Sequence, residues 1–146
     1  MHTKYMQNQG VKLVANDRET VHFLSTLLQD GISCMAWILF KNNTLKILIN
    51  RVCWETPKEI IGGEDHIARL HSIVTIHHVK EIKTKQISKK KIEFFSVLSI
   101  ICDEDTGDIK ILFSKGMINI KIEKFLVTMK DVSTYWLTSK IPHHSS

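Results

Sequence analysis

The chain has few residues that force structure: two prolines, six glycines and three cysteines in 146 residues. Each shortage excludes something. Cys34, Cys53 and Cys102 are odd in number, scattered and without a C-x-x-C pair, so no disulfide framework is encoded. They suit a reducing compartment, where a free cysteine packs as a small hydrophobe. The longest apolar run, Cys34 to Phe40, falls far short of the ~20 residues that span a bilayer. The N-terminal MHTKYMQNQG lacks the apolar stretch of a secretory signal. A cytoplasmic protein with no membrane span is the expectation. Absent too are G-x-S-x-G, G-x-x-x-x-G-K-[ST], H-E-x-x-H and G-x-G-x-x-G, so no catalytic residue and no cofactor is assigned.

Charge of one sign is scarce except in one place. Lys80, Lys83, Lys85, Lys89, Lys90 and Lys91 face the single Glu81, and that surplus of five equals the net charge of +5. The protein has a basic spot and is otherwise neutral.

Hydrophobic patterning is plentiful by contrast. In Cys34 to Glu55, two apolar runs flank Lys41-Asn42-Asn43-Thr44, and Asn-Asn tolerates the positive φ of a tight turn, so this reads as a β-hairpin. Before it, Asn16 or Asp17 caps a helix whose stripe is Val21, Leu24, Leu27 and Leu28, with Gly31 as the left-handed stop. Thr56-Pro57 to Asp65 reads as a loop. Arg69–Gln86 and Ile92–Cys102 read as a second hairpin with Lys89 to Lys91 at its tip. Ile109 to Ile122 reads as a third, turning at Ser114-Lys115-Gly116. Phe125, Met129, Val132 and Trp136 step by helical spacing, which predicts a C-terminal helix stopped by Pro142.

The fold class expected is α+β: a strongly twisted antiparallel sheet or pleckstrin-homology-like partial barrel, with one N-terminal helix and a C-terminal helix packed on the sheet. Residues 1–10 are expected as a flexible N-terminus, 11–142 as a single globular domain and 143–146 as a frayed tail.

Leu13-Val14-Ala15-Asn16-Asp17, Leu27-Leu28-Gln29-Asp30 and Leu48 to Glu55 carry a resemblance. With weaker likeness through Val97–Ile100 and Ile118–Val132 to Trp136 and Pro142, the chain resembles DUF2948, a small alphaproteobacterial family of unknown function. The resemblance implies no activity, cofactor or binding residues.

The best site candidate is the polar and aromatic cluster Asn50, Arg51, Trp54 and Glu55, with Asp30 before the hairpin. An arginine fork binds a carboxylate or phosphate in two parallel hydrogen bonds, and tryptophan offers a flat face to a partner. The competing reading has Arg51 paired to Asp30 or Glu55, locking helix to sheet over a core Trp54. Lys83, Lys85, Lys89, Lys90 and Lys91 form a second candidate, for anions, weighed against a solvated edge kept soluble by charge. His77 and His78 are adjacent on an expected strand and point to opposite faces, while His71 and His77 stand about 20 Å apart at ~3.3 Å per residue. No metal is assigned. The expected function is a non-enzymatic module holding an unknown protein partner or another copy of itself. Nucleic-acid or anionic-surface binding through residues 80–91 is the alternative, and an enzyme of unknown reaction comes last.

Overall fold

A computed structural model describes residues 10–55 and 66–139. Among the described residues the architecture is one antiparallel sheet with one α-helix on it. Strand β1 (Lys12–Ala15) leads into helix α1 (Arg18–Leu28), and a short strand β2 (Ile32–Ser33) precedes a 3-10 turn at Met35–Trp37. There follow β3 (Ile38–Lys41), β4 (Thr44–Val52), β5 (His66–Ile76), β6 (Val79–Lys85), β7 (Phe95–Cys102), β8 (Ile109–Phe113), β9 (Gly116–Ile122), β10 (Val127–Asp131) and β11 (Trp136–Ser139).

The strands lie in the order β1-β10-β5-β4-β2-β7-β8-β9-β6, with β11 also on β5 and β3 also on β4. The path is open, since β1 and β6 end it without pairing to each other. This corrects the α+β expectation with its barrel-like closure and two helices. The residues given to a C-terminal helix form β10 and β11 instead. Their helical stripe is coincidental. The period that decides is two: Val127 and Met129 are buried while Lys130 is exposed, and the stripe member Val132 is 46% exposed. Val127, Thr128, Val132 and Thr134 are β-branched, which favours a pleated backbone over a helix.

The first hairpin forms as its sequence dictates, with Asn42 and Asn43 at φ 54° and 59° joining β3 to β4. The β8–β9 hairpin also forms, closed by Gly116 at φ 106°. The second expected hairpin does not. After β5 the chain breaks at His77-His78, where His78 takes φ 57°, and β6 departs to pair with β9. The bend is tied down by His77 N–H to Leu126 O (3.0 Å), Val79 N–H to Asn43 O (2.9 Å) and Glu123 N–H to His78 O (2.9 Å). Strand β7 pairs instead with β2 and β8.

Helix α1 starts at Asp17, whose carboxylate accepts from Thr20 N–H at 2.8 Å. Its stripe Val21, Leu24, Leu27 and Leu28 is buried. Ser25 is buried as well and accepts the Ile100 N–H at 2.9 Å, tying α1 to β7. The left-handed residue after the helix is Asp30 (φ 66°), not Gly31. Gly31 is required for space, because a Cβ there would lie 2.5 Å from Ile49 Cγ2. Beneath α1 the inward residues of β4, β5, β7, β8, β9 and β10, among them Ile47, Val74, Val97, Ile111, Ile120 and Met129, form one core. The other face of β4, β5 and β10 carries no helix among the described residues. The loop expected from Thr56 to Asp65, Pro142 and the 143–146 tail lie outside the described residues, as do residues 1–9.

Candidate functional site

Strand alternation separates the side chains at the end of β4. Asn50 pairs in register with His71 on the open face, and Arg51 with Leu70 on the face that holds the core. Arg51 is fully buried, with 0% exposure. Its Nε donates to Ser72 Oγ and Asp131 Oδ1, both at 3.0 Å. Nη1 donates to Val52 O (3.2 Å) and Glu55 Oε1 (3.0 Å). Nη2 donates to Glu55 Oε2 (2.7 Å) and Asp131 Oδ2 (2.8 Å). All five N–H donors of the guanidinium are thereby used. Burial works against its charge, but the bonds to Glu55 and Asp131 outweigh burial and hold its pKa above the ordinary arginine value.

Asp131 is the other half of this lock. Its side chain is 2% exposed and also accepts from Ser72 Oγ (2.5 Å) and Val11 N–H (2.7 Å). One carboxylate therefore joins β4, β5, β10 and the start of β1. Arg51 keeps no donor for an outside carboxylate or phosphate. Of its two partners offered by the sequence, Glu55 is present. Asp30 is not; it stands exposed beyond α1, on the side of Arg69.

Trp54 is not core; it is 52% exposed. Its indole Nε1–H donates to Gln29 O at 3.2 Å, which sets the ring beside Asp30. Its backbone is fixed as well, since Trp54 N–H reaches Val52 O (3.0 Å) and Cys53 N–H reaches Ala68 O (2.8 Å). The following residue, Glu55, is clamped on Arg51 through both carboxylate oxygens. Asn50 Oδ1 accepts from Arg69 Nη1 at 3.3 Å, and the same nitrogen reaches Asn50 O at 3.4 Å. Burial lowers the Arg69 pKa, and the charge of Asp30 opposes that shift. Asp30, Asn50, Trp54 and Arg69 thus gather at one end of the sheet, and Arg51 with Glu55 braces the turn that carries Trp54.

Three participants escaped the sequence reading. Asp131 was hidden by the helix expected at Phe125–Trp136, where the alternation Val127, Met129, Asp131 is the signal that places the carboxylate on the core face. Ser72 requires the register that sets it opposite Ile49 and Asp131. Arg69 requires the β4–β5 register, in which it stands opposite Val52. An aromatic string also went unseen. Trp37 lies 5.3 Å from Phe94 and 6.2 Å from His71 between ring centroids, and His71 lies 5.0 Å from Trp136.

Lys83 and Lys85 project from β6, the last strand of the sheet, and Lys89, Lys90 and Lys91 lie exposed in the loop after it. That loop joins β6 to β7, which do not pair with each other, so it is not a hairpin tip. Charge on an exposed edge blocks pairing with another chain. His77 and His78 lie in the bend between β5 and β6, not on one strand, with ring centroids 6.2 Å apart. Among the described residues no group of three or more His, Cys, Asp or Glu could hold a metal ion. Cys34 and Cys102 are free, and Cys34 and Cys53 are buried. No helix among the described residues is long and apolar enough to cross a membrane.

Comparison with known proteins gives one finding. The family model described as "Protein of unknown function (DUF2948)" matches residues 11–144. The chain belongs to this family. Neither a curated protein nor a solved structure matches it. The DUF2948 match spans β1 to β11, so the Arg51–Asp131 lock and the Trp54 turn both lie within the family's domain.

Proposed function

We propose that this DUF2948 chain is a non-enzymatic, cytoplasmic protein-interaction module that holds its partner through Trp54. Asp30, Asn50 and Arg69 surround the contact, and Arg51 with Glu55 positions it. The observation that carries this reading is the state of Trp54: half its surface faces outward while its indole N–H and its backbone are both tied to fixed carbonyls. A tryptophan already ordered before binding loses little rotamer freedom on association, and such residues dominate interface energetics. Exposed hydrophobic side chains are common singly, but a pinned one flanked by Asp30 and Arg69 offers an apolar plate with charges of both signs beside it. The partner that fits is a folded protein surface, a second copy of this chain included, with a pocket for the indole. The free thiols of Cys34 and Cys102 support a reducing setting.

The test compares wild type with Trp54→Ala, using cross-linked partner capture and sedimentation velocity on the same preparations. A hot-spot tryptophan is worth ~2 kcal/mol or more, about 30-fold in affinity. The expected result is loss of the captured partner, or of the dimer, with an unchanged circular dichroism spectrum. Identical partners and mass for both proteins would refute the reading.

A further inference from the structure

The open face of the sheet carries a second concavity, remote in chain terms from Trp54 and independent of its reading. Strands β1, β10, β5 and β4 shape a groove of about 390 Å³, within the range of small-molecule sites. Register fixes its rows. Lys12 stands opposite Lys130, which stands opposite Ile73; Val14 stands opposite Thr128, then Thr75, then Lys46. The lining is mostly apolar, with Ile73 half-buried and Val14 and Val132 exposed at 57% and 46%.

The charges around that floor are all of one sign. Lys12, Lys46 and Lys130 line the groove, no Asp or Glu does, and none of the three has an ion-pair partner among the described residues. Like charges directly opposite each other on neighbouring strands destabilise a sheet, and Lys12–Lys130 is such a pair. An anion between them turns that repulsion into attraction. His77 closes one end, its Nε2 3.4 Å from Thr128 Oγ1. Burial, then His78 and Lys46, disfavour its protonation.

We propose that this groove binds one small amphipathic anion, its apolar body over Ile73 and Val132 and its carboxylate or phosphate head among Lys12, Lys130 and Lys46. Three lysines gathered at one concavity suit a single head group. They do not form the track of cations that a nucleic-acid backbone requires.

The experiment is an NMR titration of the full chain with decanoate and with decyl phosphate. Dodecyltrimethylammonium, inorganic phosphate and phosphatidylglycerol vesicles serve as the other arms. The expected result is saturable movement of the Ile73 and Val132 methyl signals and the Thr128 amide with decanoate or decyl phosphate. The His77 pKa should rise as the site fills, and Lys12→Gln/Lys130→Gln should weaken binding at least tenfold. The arm that binds tells carboxylate from phosphate. An equal response to the cationic amphiphile or to inorganic phosphate would overturn the proposal, as would binding to vesicles alone or an affinity the variant leaves unchanged. Should the double variant not fold, Lys46→Gln on the opposite rim replaces it, with at least a threefold loss expected and no loss overturning the proposal. Trp54→Ala should leave the titration unchanged, which separates this groove from the interaction surface.

Discussion

Replacing Asp131 by Asn changes one charge and almost no volume, yet it removes the acceptor on which Arg51 depends. The wild-type carboxylate accepts from Arg51 Nε at 3.0 Å and Nη2 at 2.8 Å, from Ser72 Oγ at 2.5 Å and from Val11 N–H at 2.7 Å. An amide keeps one acceptor oxygen and turns two N–H donors toward groups that also donate. Arg51, at 0% exposure, then keeps Glu55 as its sole counter-charge, and Glu55 is itself 35% exposed. Breaking a buried pair by removing one partner costs ~3–5 kcal/mol, because the remaining charge is left uncompensated. At this chain length roughly 2–4 °C of Tm accompanies each kcal/mol, so the melting temperature should fall by about 6–12 °C or more. Urea unfolding measures it, with an unchanged slope showing that stability and not compactness has altered. Glu55→Gln should cost less, ~1 kcal/mol, since solvent already screens that carboxylate. The double replacement Arg51→Met/Asp131→Leu should recover much of the loss, because apolar groups remove both buried charges together. A midpoint for Asp131→Asn within experimental error of wild type would refute the lock.

Three further outcomes follow from the same geometry. Gly116→Ala should destabilise by on the order of 1–3 kcal/mol from its positive φ alone, and its Cβ would lie 2.5 Å from Lys85 O; a chemical melt checks it. Lys130→Gln removes one half of the Lys12–Lys130 pair and should raise stability by a few tenths of a kcal/mol, up to ~1; a loss on the same scale would contradict the repulsion. His77 has its pKa lowered, by burial first and then by His78 and Lys46, so its neutral form is the one the fold favours. A depressed folded pKa means that this contribution is complete above the unfolded value and fades as pH falls through the folded one. Stability should therefore drop on acidification below about 6.5, and His77→Gln should flatten that part of the pH profile.

Local signals in the chain proved the most legible. Asn42-Asn43 announces its turn because both residues tolerate positive φ, and Asp17 announces the start of α1 because its carboxylate satisfies an orphan N–H. Both depend on neighbours within four residues. The C-terminal strands were misread because Phe125, Met129, Val132 and Trp136 satisfy a helical period by chance, while what decides their conformation is pairing with β5, more than fifty residues earlier. The same distance hid Asp131, so the cluster at the end of β4 was visible while half of its lock was not. The β6–β9 pairing was equally out of reach, since nothing near His77-His78 names a partner forty residues ahead. Residues that hold the site rigid are the ones brought by long-range register, and a single sequence does not print register.

The claim that Trp54 is a pre-ordered anchor is tested most directly by ¹⁵N relaxation of its indole N–H. Of the three tryptophan signals, from Trp37, Trp54 and Trp136, the one lost in Trp54→Phe is that of Trp54. An order parameter near ~0.85, matching the rigid backbone, is what the bond to Gln29 and the clamped turn predict. A value below ~0.6 would mean a freely moving side chain and would contradict the account of Trp54 as a contact fixed before its partner arrives.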